Sequence, residues 1–104
     1  MSDQEQLNTD LFIGGKWMPA QGEARFPVLD PATGETVATV ADGSVADGIA
    51  AVDAADAAAS GWALTPPRER SEILRRAFEL MTDRSEELAR LISLENGKAL
   101  VDAR

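Results

Sequence analysis

The chain has no cysteine and no histidine. Their absence excludes disulfides, a thiolate nucleophile, the usual zinc sites and any Ser-His-Asp arrangement within these residues. Carboxylates, lysines and arginines remain to titrate, and no two of them form a catalytic pair. Long apolar runs are missing as well. Nothing approaches the roughly 20 apolar residues of a membrane-spanning helix, and no basic segment leads into an apolar one at the N-terminus. The sequence therefore reads as a cytoplasmic protein without membrane contact. Basic residues are scarce early on. Residues 1–64 hold two (Lys16 and Arg25) against ten acidic ones, which is the whole of the net charge of −8. Such a surface lacks the basic footprint that nucleic acid or an anionic membrane needs, and it reads as a solvated face. Bulky side chains are fewer than the 44% hydrophobic content suggests, because much of it is alanine. At 104 residues the chain stands near the size at which one core becomes adequate.

What is present is organised around residues 65–98, TPPRERSEILRRAFELMTDRSEELARLISLENGK. The spacing predicts two consecutive amphipathic helices. Thr65 is placed to cap the first, with Pro66 at its first helical position, where a missing N–H costs nothing. Ile73, Leu74, Ala77, Phe78 and Met81 then share one face. Asp83 with Glu86 matches a capping box for the second helix, whose side carries Leu88, Leu91, Ile92 and Glu95. Gly97 is the stop, with Lys98 beside the negative end of the dipole. Nothing here is chemically reactive.

Residues 1–9 are polar and aperiodic and read as a mobile arm. Leu11-Phe12-Ile13 and Lys16-Trp17-Met18 predict a hairpin turned by Gly14-Gly15, with Trp17 covering the edge of a small core. Residues 26–29 form a third strand whose Pro27 favours an edge. DPATGE, residues 30–35, is a turn in which Asp30 bonds the following backbone and Gly34 takes the left-handed position. The β-branched residues 36–40 form a fourth strand. Ser44 and Asp47 open an alanine-rich helix over 44–61, with Val45, Ile49, Val52, Ala55 or Asp56, Ala59 and Trp62 recurring about every 3.5 residues. Gly61 is its expected end. Gly43 and Gly48 have the spacing of a phosphate loop, but no Lys-Ser/Thr follows and Gly48 falls inside the helix, which excludes that reading. After Gly97 the residues ALVDAR begin an apolar pattern that nothing completes, so the chain reads as truncated.

In this order, LFIGGKW, DPATGE, an alanine-rich helix ending in GW, TPPRERSEILRRA and EELARLISLENGKAL resemble the N-terminal region of the NAD(P)-dependent aldehyde dehydrogenases. The resemblance spans residues 10–104, and GGKWMPA, FPVLDPATGE and ARLISLENGK look most like the succinate-semialdehyde dehydrogenases. It implies an α+β fragment, short N-terminal β-hairpins followed by three helices, belonging to the α/β cofactor-binding domain of that fold. It implies a longer parent, a homo-oligomer whose remaining chain is this segment's partner. In that family a cysteine thiolate attacks the aldehyde, hydride passes to NAD or NADP, and a glutamate-activated water releases the acid. None of these parts falls on this sequence, so the segment alone is expected to bind no dinucleotide and to oxidise nothing.

The resemblance also implies a structural monovalent-cation site, made by a backbone carbonyl just before the Asp-Pro turn and an acidic side chain of the ExGK-type motif. On this sequence those positions are Val28 and Glu95. Carbonyl and carboxylate oxygens suit a hard cation; Glu95 as an ordinary late-helix carboxylate is the competing reading. Two other functions compete with this reading. A free-standing acidic α+β interaction module would finish its last helix with a cap, which ALVDAR does not. A partner-binding helical segment is unnecessary to explain pairs such as Glu72 with Arg76 and Glu86 with Arg90, which are adequate surface pairs.

Overall fold

Glycines shape the first sheet. Gly14 and Gly15 take φ of 61° and 79°, a two-residue turn whose twist suits a hairpin, and β1 (Leu11–Ile13) pairs antiparallel with β2 (Lys16–Met18). A computed structural model describes residues 7–104. Of the arm expected over residues 1–9, residues 1–6 lie outside the described residues, and Thr9 is bound: its carbonyl accepts the N–H of Ala41 at 2.8 Å. Trp17 differs from expectation. Its ring lies 4.9 Å from that of Phe12, and both rings stay largely in solvent instead of covering a core.

The second sheet is a separate hairpin of β3 (Arg25–Leu29) and β4 (Thr36–Ala41). Both strands run one residue beyond expectation because Arg25 and Ala41 pair with each other. The turn is as read: Asp30 Oδ1 accepts the N–H of Ala32 at 2.8 Å, and Gly34 has φ 76°. Thr39, opposite Pro27, turns its carbonyl outward to the Arg25 guanidinium at 2.7 Å. That marks the Pro27–Thr39 pair as one that exchanges no ladder bonds, so the missing proline N–H leaves no gap.

α1 (Val45–Leu64) opens on the anticipated capping box but does not stop at Gly61. It runs on until Thr65, where the following Pro66 forces an extended backbone (ψ 129°). Thr65 therefore closes α1, its hydroxyl donating to the Gly61 carbonyl at 3.0 Å, and does not cap the next helix. α2 (Pro67–Asp83) starts one residue later than expected, with Pro67 at the position foreseen for Pro66. Asp83 is the last residue of α2, not a cap. The chain breaks at Arg84 alone before α3 (Ser85–Asn96). Residue 83 would have to leave the helix to make a box, and Arg84 N–H still bonds Leu80 O at 3.1 Å. Gly97 ends α3 in the left-handed conformation as predicted, and a fourth, short helix α4 (Leu100–Ala103) follows. The ion pairs differ as well. Arg75 meets Glu79, and Glu86 meets Arg104 at 2.9 Å, so neither expected i,i+4 pair forms.

The core is slight. Among the described residues Ala20, Ala41 and Ala89 are the buried hydrophobic ones, and bulky side chains stay outside: Val52 is 67% exposed and Phe78 68%. The accessible surface is 8059 Å², against about 5,700 Å² for a compact folded chain of this mass. The radius of gyration is 16.8 Å, against about 13 Å for a compact domain of this length. α1 touches β1 and α2 touches α3, each only slightly, so the inward faces of both long helices have little beneath them.

Candidate functional site

One cleft gathers the residues singled out for cation binding. An extra residue in β4 opposite the Val28–Leu29 step shifts the register, and such a bulge turns two successive side chains to one side. Val37 and Ala38 are accordingly both half-buried. With Val28 and Val40 they face Leu91 and Glu95 of α3 across a cleft of about 130 Å³ whose rim includes Asn8 and Thr9. Val28 and Glu95, 67 positions apart in the chain, thus line one space. By the alternation of the ladder, the Val28–Ala38 pair exchanges bonds, so one lone pair of the Val28 carbonyl is turned to β4 and one remains.

Glu95 stands in the last turn of α3, one turn beyond Leu91. There its negative charge faces the negative end of the dipole, and a cation would offset that. No lysine or arginine among the described residues forms an ion pair with it. The turn that ends α3 is fixed from two directions. Ser93 Oγ donates to the Lys98 carbonyl at 2.6 Å, and Gly97 lies so close to Pro31 that an added Cβ would meet its Cγ at 3.0 Å. Among the described residues no group of three or more acidic, His or Cys side chains is placed to hold a metal ion. Of the residues lining the cleft, Glu95 is the one that carries a charge.

Arg25, the lone basic residue of β3, escaped the sequence reading. It donates to Asp10 Oδ1 at 2.8 Å, Thr9 Oγ1 at 2.7 Å and the Thr39 carbonyl, tying the approach to the first hairpin onto the edge of the second. Asn8 and Thr9 escaped too, since an aperiodic polar stretch carries no signal of where it folds back.

The N-terminus of α1 is already occupied by a carboxylate. Asp47 accepts the N–H of Ser44 at 2.8 Å, its hydroxyl at 2.9 Å and the N–H of Gln21 at 3.0 Å. The Ser44 and Gln21 N–H groups hold the Asp47 carboxyl below its ordinary range. A phosphate arriving here would meet that negative charge, so Gly43 and Gly48 do not make an anion cradle. Both sheets are antiparallel hairpins, and neither supplies the parallel strand–turn–helix unit that receives a dinucleotide. Among the described residues there is thus no such unit for NAD or NADP.

A family model described as "Aldehyde dehydrogenase family" matches residues 17–104. The human protein named "Succinate-semialdehyde dehydrogenase, mitochondrial" is 45% identical over 97 residues, covering 93% of this chain and 18% of that protein. A crystal structure of succinate-semialdehyde dehydrogenase from Burkholderia pseudomallei superposes with a TM-score of 0.92 at 42% identity, covering 99% of this chain and 21% of that one. A betaine aldehyde dehydrogenase from Staphylococcus aureus, solved in complex with NAD+, has a TM-score of 0.92 at 27% identity, over 96% of this chain and 20% of its own. The chain thus spans about a fifth of the length of the relatives it matches.

Proposed function

This chain belongs to the aldehyde dehydrogenase family, and from that footing we propose that it is the N-terminal scaffold of a longer NAD(P)-dependent enzyme that oxidises succinic semialdehyde to succinate. The observation that carries the reading is the uncovered apolar surface on α1 and α2. Ile49, Val52, Phe78 and Met81 are each more than half exposed, and bulky apolar side chains exposed together along a helix mark a surface made for another layer. Alanine between the bulky residues makes α1 apolar nearly all round, as in helices enclosed on several sides. The remainder of the parent chain is the natural cover, and it carries the nucleophile and the dinucleotide site.

Within that enzyme these residues hold elements in place. Arg25 clamps the two hairpins, and Gly97 on Pro31 fixes α3 against the second. The cleft between them holds a potassium or sodium ion through the Glu95 carboxylate and the free lone pair of the Val28 carbonyl. A homo-oligomeric parent in the cytoplasm completes the proposal. The test is the full-length gene product assayed with succinic semialdehyde and either dinucleotide, with the 104-residue chain assayed beside it. The reading requires activity in the first and none in the second. A full-length product that leaves succinic semialdehyde untouched while oxidising another aldehyde keeps the family and overturns the substrate.

A further inference from the structure

Alone among the arginines, Arg70 is half-buried; the others are exposed. Its Nε–H is fully enclosed and has no acceptor; Arg68, Arg76, Arg84 and Arg90 likewise form no ion pair among the described residues, but those four are exposed and have water for a partner. An enclosed charge-bearing donor without a partner is rare in folded proteins and calls for one. Its own helix offers none, for the neighbours one turn away are Pro66, Pro67, Ile73 and Leu74. The backbone carbonyl of Pro66 is already taken by the Arg70 N–H at 3.2 Å. The site is also electrostatically adverse, because Arg70 lies in the second turn of α2, near the end where the dipole favours anions.

Helical geometry puts Arg70 on the stripe that continues through Leu74, Ala77 and Met81. Leu74 is 70% exposed and Met81 62%, so the arginine stands at the head of an uncovered apolar strip. We infer that this strip is a docking surface for the remainder of the parent chain, and that the covering segment brings a carboxylate to the Arg70 guanidinium. Charge complementarity chooses that occupant. A purely apolar cover, or a second copy of this strip with its own Arg70, would leave a buried cation unpaired or set two cations together. Arg70 is thus a positioning residue that fixes the register of α2 on its neighbour, as a planar bidentate donor does and an ammonium does poorly. The inference rests on the reading of the chain as part of a longer enzyme.

The test uses the full-length enzyme, with Arg70→Gln, Arg70→Lys and, as a control on the exposed side of the same helix, Arg76→Gln. Thermal melts are recorded from pH 7 down to pH 4, together with activity. The expected result is a melting temperature several degrees lower for Arg70→Gln, partial recovery in Arg70→Lys, and no change in Arg76→Gln. The gap between wild type and Arg70→Gln should narrow as the pH falls and the partner carboxylate protonates. A gap of constant size across that range points to lost packing alone and overturns the ion pair. Equal melts for all four proteins overturn the anchor altogether. If the full-length protein shows no aldehyde oxidation, the enzyme reading fails; if it is active and indifferent to Arg70, only this inference fails. Should Arg70→Gln fail to accumulate, a structure of the wild-type enzyme decides, by a carboxylate or some other acceptor on the Arg70 Nε–H.

Discussion

A Cβ added to Gly97 would stand 3.0 Å from Cγ of Pro31, so the end of α3 and the turn between β3 and β4 meet where a side chain fits only if Pro31 gives way by a few tenths of an ångström. The φ of 78° at Gly97 adds a second reason for glycine. Gly97→Ala should therefore cost about 2 kcal/mol, part from the left-handed backbone and part from overpacking. Gly34 isolates the first part, since its φ is 76° and nothing lies within 4 Å of its added Cβ. Gly34→Ala should cost only about 1 kcal/mol. Urea unfolding of both variants in the full-length protein measures the difference; equal costs would remove the Pro31 contact from the account.

Asp47 makes the junction of the first hairpin and α1 acid-sensitive. Its carboxyl is held below its ordinary 3.8, first by the Ser44 N–H and then by that of Gln21. A depressed folded-state value stabilises fully above the unfolded value and is lost as pH falls through the lowered one. Stability should thus be flat in this term above about pH 4 and drop below it, and Asp47→Asn should flatten the drop. Acid titration followed by circular dichroism checks this. Removing the reciprocal cap with Ser44→Ala should cost about 1 kcal/mol at neutral pH.

How far the fold was legible follows from how local each cause is. The first hairpin was legible to the residue because Gly14-Gly15 and the flanking alternation act within a few positions. Gly97 and the Asp30 turn were legible for the same reason. Gly61 misled because a glycine stops a helix only where something makes the left-handed state better; here the chain stays helical until Pro66 forbids it. Asp83 misled because a box pattern looks the same inside a helix as at its start. In the cleft, Val28 and Glu95 were suggested by resemblance to a family, while Asn8, Thr9 and the bulge at Val37 depend on contacts between distant segments that no local pattern encodes.

The uncovered face of α2 predicts that one substitution acts differently in two settings. Phe78 is 68% exposed in this chain, so Phe78→Ser should change the stability of the isolated segment by less than about 0.5 kcal/mol while reducing the self-association that its exposed apolar faces are expected to drive. In the full-length enzyme, where the ring would be enclosed, a loss of about 3 kcal/mol or more is expected. Light scattering on the segment and thermal melts of the enzyme report the two effects. A small loss in both settings would leave α2 a solvent-facing helix.

Glu95 predicts an ion dependence. Potassium or sodium at ten times its dissociation constant should stabilise the full-length enzyme by about 1.4 kcal/mol relative to choline at equal ionic strength. Glu95→Gln should abolish that increment and change little else. An increment that survives the substitution would assign Glu95 to the ordinary surface of α3.

The most direct test of the central claim is the intact mass and activity of the native gene product, set against the 11.1 kDa of this chain. The account predicts a species several times heavier that oxidises succinic semialdehyde with NAD or NADP. A native product of 11.1 kDa that is monomeric and melts cooperatively would contradict it, because the faces of α1 and α2 would then be finished surfaces.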